Sequence, residues 1–228
     1  MIRQLLLASA VAVALAACGS DDSSSGITAP PDTGASADAG ATADTDGCPP
    51  VEGAAEQTRQ FDASPPMCLD ADATYDAIVT TNKGEFTIAL DPDNGPVAAN
   101  NFVFLARNQY YDDTECHRII PNFVIQCGDP TASGTGGPGY TIVDEPPTVP
   151  YEIGSIAMAK TVAPDSAGSQ FFIITGTDGA NLPPDYALFG KVTEGFDDAV
   201  AAMAAAGTPG DGVPSEPIEI ESIRIVQS

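Results

Sequence analysis

Positive charge is scarce in this chain of 228 residues, because eight Lys and Arg stand against 32 Asp and Glu, for a formal net charge of -24. Such a surface repels phosphate backbones, so we expect no nucleic-acid partner. It also lacks a polybasic patch for anionic lipid. Histidine is limited to His117. A single histidine, with no Cys-x-x-Cys or Cys/His set at metal spacing, argues against a metal site and against a serine hydrolase.

Long apolar runs are missing too. The run over 5–17 is shorter than the roughly 18 apolar residues of a spanning helix, and a positively charged start at Arg3 precedes it. This pattern is typical of an export signal. Its end, Leu15-Ala16-Ala17-Cys18, resembles the lipobox of bacterial lipoproteins. The resemblance implies that Cys18 becomes the first mature residue, carries acyl chains and anchors the protein to a bacterial membrane outside the cytoplasm. A plain signal peptide is the alternative.

Composition divides the rest of the chain. Residues 19–47 are mostly small and polar, so they bury too little apolar surface to offset their conformational entropy and are predicted to be disordered. Residues 48–74 contain two Pro-Pro pairs and are predicted to be irregular. We therefore predict a signal peptide over 1–17, the anchor cysteine and a linker over 18–74, and a folded domain over 75–228.

Four cysteines remain besides Cys18, which permits disulfides in an exported protein and allows three pairings. Cys48 and Cys68 flank the start of the globular part and could pin it. Cys116 and Cys127 lie on neighbouring predicted strands, but strand alternation can place them on opposite faces. The pairing therefore stays open.

Local patterns predict a mainly β domain. Residues 75–81 and 85–90 flank a tight turn and form a predicted hairpin, and helical spacing with a proline near the start predicts a helix over 96–107. Short strands separated by Gly-Pro turns follow from Cys116 to Phe189. An Ala-rich helix over 197–206 and a closing strand over 218–226 complete the domain. One helix near each end, with many strands between them, predicts a closed β-barrel capped by two α-helices.

Residues 117–140, HRIIPNFVIQCGDPTASGTGGPGY, carry the strongest family likeness. With the blocks at 154–159, 168–173 and 188–195, they resemble the cyclophilin family of peptidyl-prolyl cis-trans isomerases in order and spacing. The resemblance implies an eight-stranded antiparallel barrel capped by two helices. It also implies acceleration of X-Pro bond rotation in proline-containing polypeptides, without a cofactor. We expect a monomer.

Isomerisation requires stabilisation of a twisted amide, and a guanidinium that donates to the prolyl nitrogen favours that state. Arg118 lies in a β-run with few acids nearby and, by the resemblance, is the catalytic arginine, with Phe123 and Gln126 assigned beside it. Gln126 shares the face of Val124, where it could meet Arg118 across a hairpin. The resemblance implies further substrate-binding positions, with the last at the base of a proline pocket: Val124, Gly134, Ala159, Lys160, Gln170, Phe172, Leu182, Tyr186 and Phe189.

Some positions depart from the family pattern. Lys160 replaces a usual Asn, and we expect its charge to favour acidic flanking residues in substrates. Asn181 stands where many eukaryotic relatives have Trp, which argues against tight cyclosporin binding. Tyr186 stands where a His is common, and Cys116 where a Phe is usual.

Other interpretations remain. Strand alternation turns His117 away from Arg118, so we expect an interior histidine with its hydrogen bonds satisfied. A proline-peptide-binding module or chaperone with little turnover would use the same groove, but it would not need the charge of Arg118 at the rotating bond. A structural lipoprotein that uses the barrel as a spacer would not need an intact pocket.

Overall fold

The structure, a computed structural model, describes residues 47–228; the predicted signal peptide, Cys18 and the linker over 19–46 lie outside the described residues. The described part is mainly β, with nine strands: β1 (Tyr75–Thr81), β2 (Gly84–Leu90), β3 (Thr114–Glu115), β4 (Arg118–Ile120), β5 (Val124–Cys127), β6 (Ser155–Met158), β7 (Phe171–Ile174), β8 (Leu188–Glu194) and β9 (Glu219–Gln227). Its helical segments are α1 (Pro96–Arg107), α2 (Thr177–Ala180), a π-helical turn (Phe196–Val200) and α3 (Ala201–Ala204).

The strands form one curled antiparallel sheet in the order β3-β9-β1-β2-β8-β6-β7-β5-β4. The predicted hairpin of β1 and β2 is confirmed, but the prediction of a closed eight-stranded barrel is wrong. Strands β3 and β4 lie at opposite edges of the sheet and do not pair. The outer edge of β4 instead meets a loop, since Ile119 N donates to Gly212 O (2.7 Å) and Ile119 O accepts from Thr208 N (3.1 Å). These loop contacts use the backbone groups that closure would need, so the sheet is an open half-barrel.

Helix α1 matches its predicted bounds and begins with Pro96 at its first turn. Its free backbone N–H groups are satisfied from another segment, because the Glu145 carboxylate accepts hydrogen bonds from Val97 N (2.9 Å) and Ala98 N (2.8 Å). The second predicted helix is shorter than expected and consists of the π-helical turn followed by α3. Within residues 47–228, no helix has the length and apolar character needed to span a membrane.

Both faces of the central strands are buried, and alternation separates the two sets of side chains. On β7, Phe171 and Ile173 belong to the main core, where Phe171 packs edge-on against Phe102 of α1. The intervening Phe172 and Ile174 belong to a second apolar cluster on the other face. That second cluster also contains Val124, Tyr151, Ala157 and Leu188.

Residues 48–74 contain no helix or strand, as predicted, but they are attached to the domain. Their backbone is hydrogen-bonded to α1, through Ala54 N to Arg107 O (2.7 Å) and through Cys68 N to the Asn100 side chain (2.7 Å). A disulfide between Cys48 and Cys68 closes the segment into a loop. We call residues 48–74 the N-terminal extension.

The second disulfide joins Cys116 to Cys127. The sequence argument left the pairing of these two cysteines open, because it placed Cys116 within a regular strand, where alternation can turn the two side chains to opposite faces. In the structure β4 begins only at Arg118, and Cys116 N donates to Ile218 O (2.8 Å) beside β3. Both sulfurs therefore lie in the main core, and the bond ties the edge of the sheet at β3 to the end of β5.

We predict that the double variant Cys116→Ala/Cys127→Ala loses about 2 to 3 kcal/mol of unfolding free energy, because the short disulfide loop no longer restricts the unfolded chain. Guanidinium unfolding followed by circular dichroism measures the loss. Under a strong reductant most of the difference from wild type should disappear. A difference that persists unchanged after reduction would contradict the role of the bond.

Candidate active site

The β4–β5 hairpin brings Arg118 and Gln126 together. The two residues are direct partners in the antiparallel register, so their side chains lie on the same face of the sheet. Arg118 Nη1 donates to Gln126 Oε1 at 3.3 Å, and the guanidinium carbon lies 5.7 Å from the centre of the Phe123 ring. These two contacts orient the guanidinium over the face that carries the second apolar cluster.

A row of amides continues from Arg118 across the sheet. Gln126 Nε2 donates to Gln170 Oε1 (2.9 Å), and Gln170 Nε2 donates to Gly136 O (3.0 Å). Each glutamine uses its oxygen to accept and its nitrogen to donate, so the row has one direction. Three consecutive hydrogen bonds thus connect Arg118 with Gly136.

A small apolar pocket lies beside the guanidinium. Its volume is about 140 Å³, well below the roughly 300 Å³ at which drug-sized ligand sites begin, so it suits a single side chain. Tyr186 packs edge-on against Phe172 with ring centres 5.4 Å apart, and Tyr151 fixes Tyr186 by hydrogen bonds to its backbone N and O. The residues that line the apolar pocket are Arg118, Phe123, Val124, Gln126, Ala159, Lys160, Phe172, Leu182 and Tyr186.

A second cavity of about 340 Å³ adjoins the apolar pocket and shares Gln126, Ala159 and Lys160 with it. Its wall is formed by Gln170 and by residues 134–138 of a glycine-rich segment. We call residues 134–139 the glycine loop and this space the glycine cavity. An extended peptide seated in the apolar pocket would have its neighbouring residues in the glycine cavity.

Most of the predicted site residues meet in this region, with one exception. Nine of them line the apolar pocket, while Gly134 and Gln170 line the glycine cavity. Phe189 does not reach the base of the apolar pocket. It is fully buried in the main core, where its ring centre lies 5.1 Å from that of Phe102. Because side chains alternate along β8, its neighbour Leu188 instead belongs to the second apolar cluster.

Lys160 differs from the expectation of a cation directed at substrate. Its ammonium forms an ion pair with Asp144 at 2.6 Å, and the hydrogen bond from Lys160 lowers the pKa of Asp144. The charge of Lys160 is thus offset within the protein. Arg118, by contrast, has no carboxylate within ion-pair distance among residues 47–228.

His117 is not the satisfied histidine that was expected. Its Nδ1 is buried and has no hydrogen-bond partner within the described part of the chain. Burial lowers the pKa of His117, against the nearby charge of Asp129, so the ring is neutral near pH 7. In the same part of the chain, no three His, Cys, Asp or Glu side chains are grouped so as to hold a metal.

Asp129 is a residue that sequence reasoning missed. It is fully buried and organises the segment that enters the glycine loop, accepting hydrogen bonds from Thr131 N (2.7 Å), Ser133 N (3.1 Å) and Gly136 N (3.0 Å). Burial by itself would raise the pKa of Asp129, but hydrogen bonds from Thr131 and from the backbone of the glycine loop outweigh it and lower the pKa to about 2. The segment Asp-Pro-Thr-Ala-Ser over 129–133 is a turn signal that could have identified it.

Together, the fold and the site define a curled β domain with a positioned arginine beside a side-chain-sized apolar pocket. The model of the family described as "Cyclophilin type peptidyl-prolyl cis-trans isomerase/CLD" matches residues 77–225. A probable peptidyl-prolyl cis-trans isomerase B of Mycobacterium leprae is 35% identical over 172 residues, which cover 67% of this chain and 57% of that protein. The chain thus spans little more than half of this relative.

A shorter relative is matched along nearly its whole length. Peptidyl-prolyl cis-trans isomerase A of Mycobacterium tuberculosis is 35% identical over 170 residues, which cover 67% of this chain and 93% of that protein. The crystal structure of a Cryptosporidium parvum cyclophilin-type isomerase is 32% identical, with a TM-score of 0.62, and covers 67% of this chain and 98% of that one. A second structure of it, in the presence of the dipeptide Ala-Pro, has a TM-score of 0.61. The chain belongs to the family of cyclophilin-type peptidyl-prolyl cis-trans isomerases.

We predict that Asp129→Asn is less stable than wild type at about pH 6 and that this difference in unfolding free energy shrinks as the pH falls. A carboxyl whose pKa is lower in the folded state than in the unfolded state stabilises the folded state at pH values above the unfolded pKa, which is about 4. This stabilisation is lost as the pH falls towards the folded pKa of about 2. The shift corresponds to a difference on the order of 2 kcal/mol between wild type and variant at about pH 6.

Urea unfolding of both proteins between about pH 6 and pH 2 measures this difference, because the other titrating groups cancel in the comparison. The gap should narrow as the pH falls. A gap that stays constant across the range would show that Asp129 is not held as the charged acceptor of these donors.

Proposed function

We propose that this protein catalyses rotation about X-Pro peptide bonds in polypeptides, without a covalent step, and that Arg118 stabilises the twisted amide. The observation that carries the proposal is the guanidinium, which is oriented by Gln126 beside a pocket the size of one side chain and has no carboxylate partner in the described part of the chain. The Cryptosporidium isomerase solved in the presence of Ala-Pro supports proline-containing peptides as substrates.

The physical barrier explains what the site must do. Rotation breaks amide resonance and costs about 20 kcal/mol. In the twisted state the prolyl nitrogen is pyramidal and its lone pair is localised, so a hydrogen bond from Arg118 is stronger there than in either planar isomer. The Arg118 guanidinium has N–H groups and no acceptor atom, so it acts as a pure donor. No proton transfer is needed, and the neutral His117 has no part in the reaction.

The apolar side chains hold the proline ring while the preceding carbonyl swings. Phe172 and Tyr186 form one wall by their edge-on contact, and Val124, Leu182 and Phe123 complete the pocket. The residue before proline then lies towards Ala159 and the glycine cavity. Gln126 and Gln170 provide amide groups for the substrate backbone and keep Arg118 in place.

We predict that Arg118→Ala lowers kcat/KM for a short X-Pro peptide by about a hundredfold or more, because a donor aimed at the transition state is lost. Binding of a proline peptide should change much less. Arg118→Lys should recover only part of the rate, since a single ammonium cannot match the planar fork that Gln126 orients. Isomerisation rates measured by NMR exchange, which needs no coupled protease, test the set.

If folded wild-type protein does not accelerate isomerisation of the X-Pro peptide, the proposed activity is wrong. That result would then favour the alternative of a proline-peptide-binding module. If Arg118→Ala is as fast as wild type, the isomerase activity stands but the proposed role of Arg118 is wrong.

The proposal extends to where the reaction occurs. Cys18, at the end of the export signal, is proposed to carry a lipid that anchors the protein to a bacterial membrane, where it assists folding of exported proteins. Two disulfides among the described residues support an oxidising compartment, because such bonds are rare in reducing cytoplasm.

The variant Cys18→Ser lacks the thiol that would carry the lipid, so the full-length protein should move from the membrane fraction to the soluble fraction. The membranes are washed at high salt, because salt removes proteins that are held only by charge. Ser20→Ala is the matched control and should stay with the membrane. A Cys18→Ser protein that remains membrane-bound would rule out the lipid anchor.

A further inference from the structure

The N-terminal extension contacts the glycine loop by two polar contacts. Phe61 N donates to Pro138 O at 2.8 Å, and Gln60 Nε2 donates to Gly137 O at 3.0 Å. The family match begins at residue 77, so both donors come from outside the part of the chain that resembles the family. The extension therefore supplies contacts that the matched domain alone does not contain.

The contact is also close-packed. The Phe61 ring lies with its centre 5.0 Å from that of Phe104 on α1 and 6.2 Å from that of Tyr140, which lines the glycine cavity. Gly139 has φ of +99°, and a Cβ placed there would lie 2.5 Å from Phe61 O. Only glycine tolerates both this conformation and this approach of two backbones.

The opposite side of the glycine loop meets the amide row of the site. Gly136 O accepts from Gln170, which accepts from Gln126, which accepts from Arg118. Asp129 restrains the first half of the loop, with its last contact at Gly136 N. The second half, over 137–139, is held by the extension instead.

We propose that Phe61 and Gln60 are positioning residues for the isomerase site, acting through the glycine loop on Gln170 and from there on Arg118. Four of the six loop residues are glycines, which lose much conformational entropy when ordered. Without Phe61 and Gln60 the second half of the loop has more conformations, so the acceptor at Gly136 is held less firmly. The inference rests on the proposed isomerase function.

The experiment compares full-length wild type with Phe61→Ala and Gln60→Ala. Both variants should lower kcat/KM for an X-Pro peptide, Phe61→Ala by about three- to tenfold, the range expected when a supporting contact outside the site is lost. Gln57→Ala is the matched control: this neighbouring exposed glutamine fastens the same extension to Gln109 O (2.9 Å) and Asp112 O (3.2 Å), away from the site. It should retain the wild-type rate.

A double-mutant cycle with Gln170→Ala separates positioning from general stability. If Phe61 acts through Gln170, Phe61→Ala should cost little further rate once Gln170 is already Ala. Fully additive losses would overturn the proposal, as would a loss in Gln57→Ala equal to that in Gln60→Ala. If Phe61→Ala does not fold, Gln60→Ala carries the same cycle.

A readout independent of turnover keeps the two proposals distinguishable. In ¹H–¹⁵N spectra the side-chain NH₂ signals of Gln170 and Gln126 should shift in Gln60→Ala and stay in place in Gln57→Ala. Unchanged signals would overturn the inference even if wild type is an active isomerase. Wild type without activity would overturn the proposed function, while the spectra still decide whether the extension positions the amide row.

Discussion

The pairing of Arg118 with Gln126 across the β4–β5 hairpin is the constraint on which the site depends. Antiparallel register places the two residues opposite each other, so one short hydrogen-bonded hairpin decides where the guanidinium lies. The disulfide between Cys116 and Cys127 encloses that hairpin, with Arg118 and Gln126 just inside its two ends. A covalent bond thus limits how far the strands can separate.

The same alternation that pairs these residues allows one sheet to serve two purposes. Along β5, Ile125 and Cys127 face the main core, while Val124 and Gln126 face the site. Stability comes chiefly from the first face, where α1 covers the sheet. The second face can then leave a small apolar pocket partly open, because its walls are fixed by strands whose other side is fully packed.

Charge is distributed so that Arg118 stays available. In a chain with 32 acidic residues, the described part has no carboxylate close enough to pair with Arg118, whereas Lys160 beside it is paired with Asp144. An ion pair would direct the guanidinium away from a substrate. Contacts with a neutral amide and an aromatic ring orient Arg118 without neutralising it.

Local sequence patterns were sufficient to predict the hairpin of β1 and β2, helix α1 from Pro96, and the shared face of Val124 and Gln126. Period two and period 3.6 act between near neighbours, so one sequence suffices to predict them. The open edge at β4 and the burial of Phe189 away from the pocket became visible only in the folded domain. The same is true of the attachment of the extension to the glycine loop. Each of these depends on contacts between residues far apart in the chain, which no local periodicity encodes.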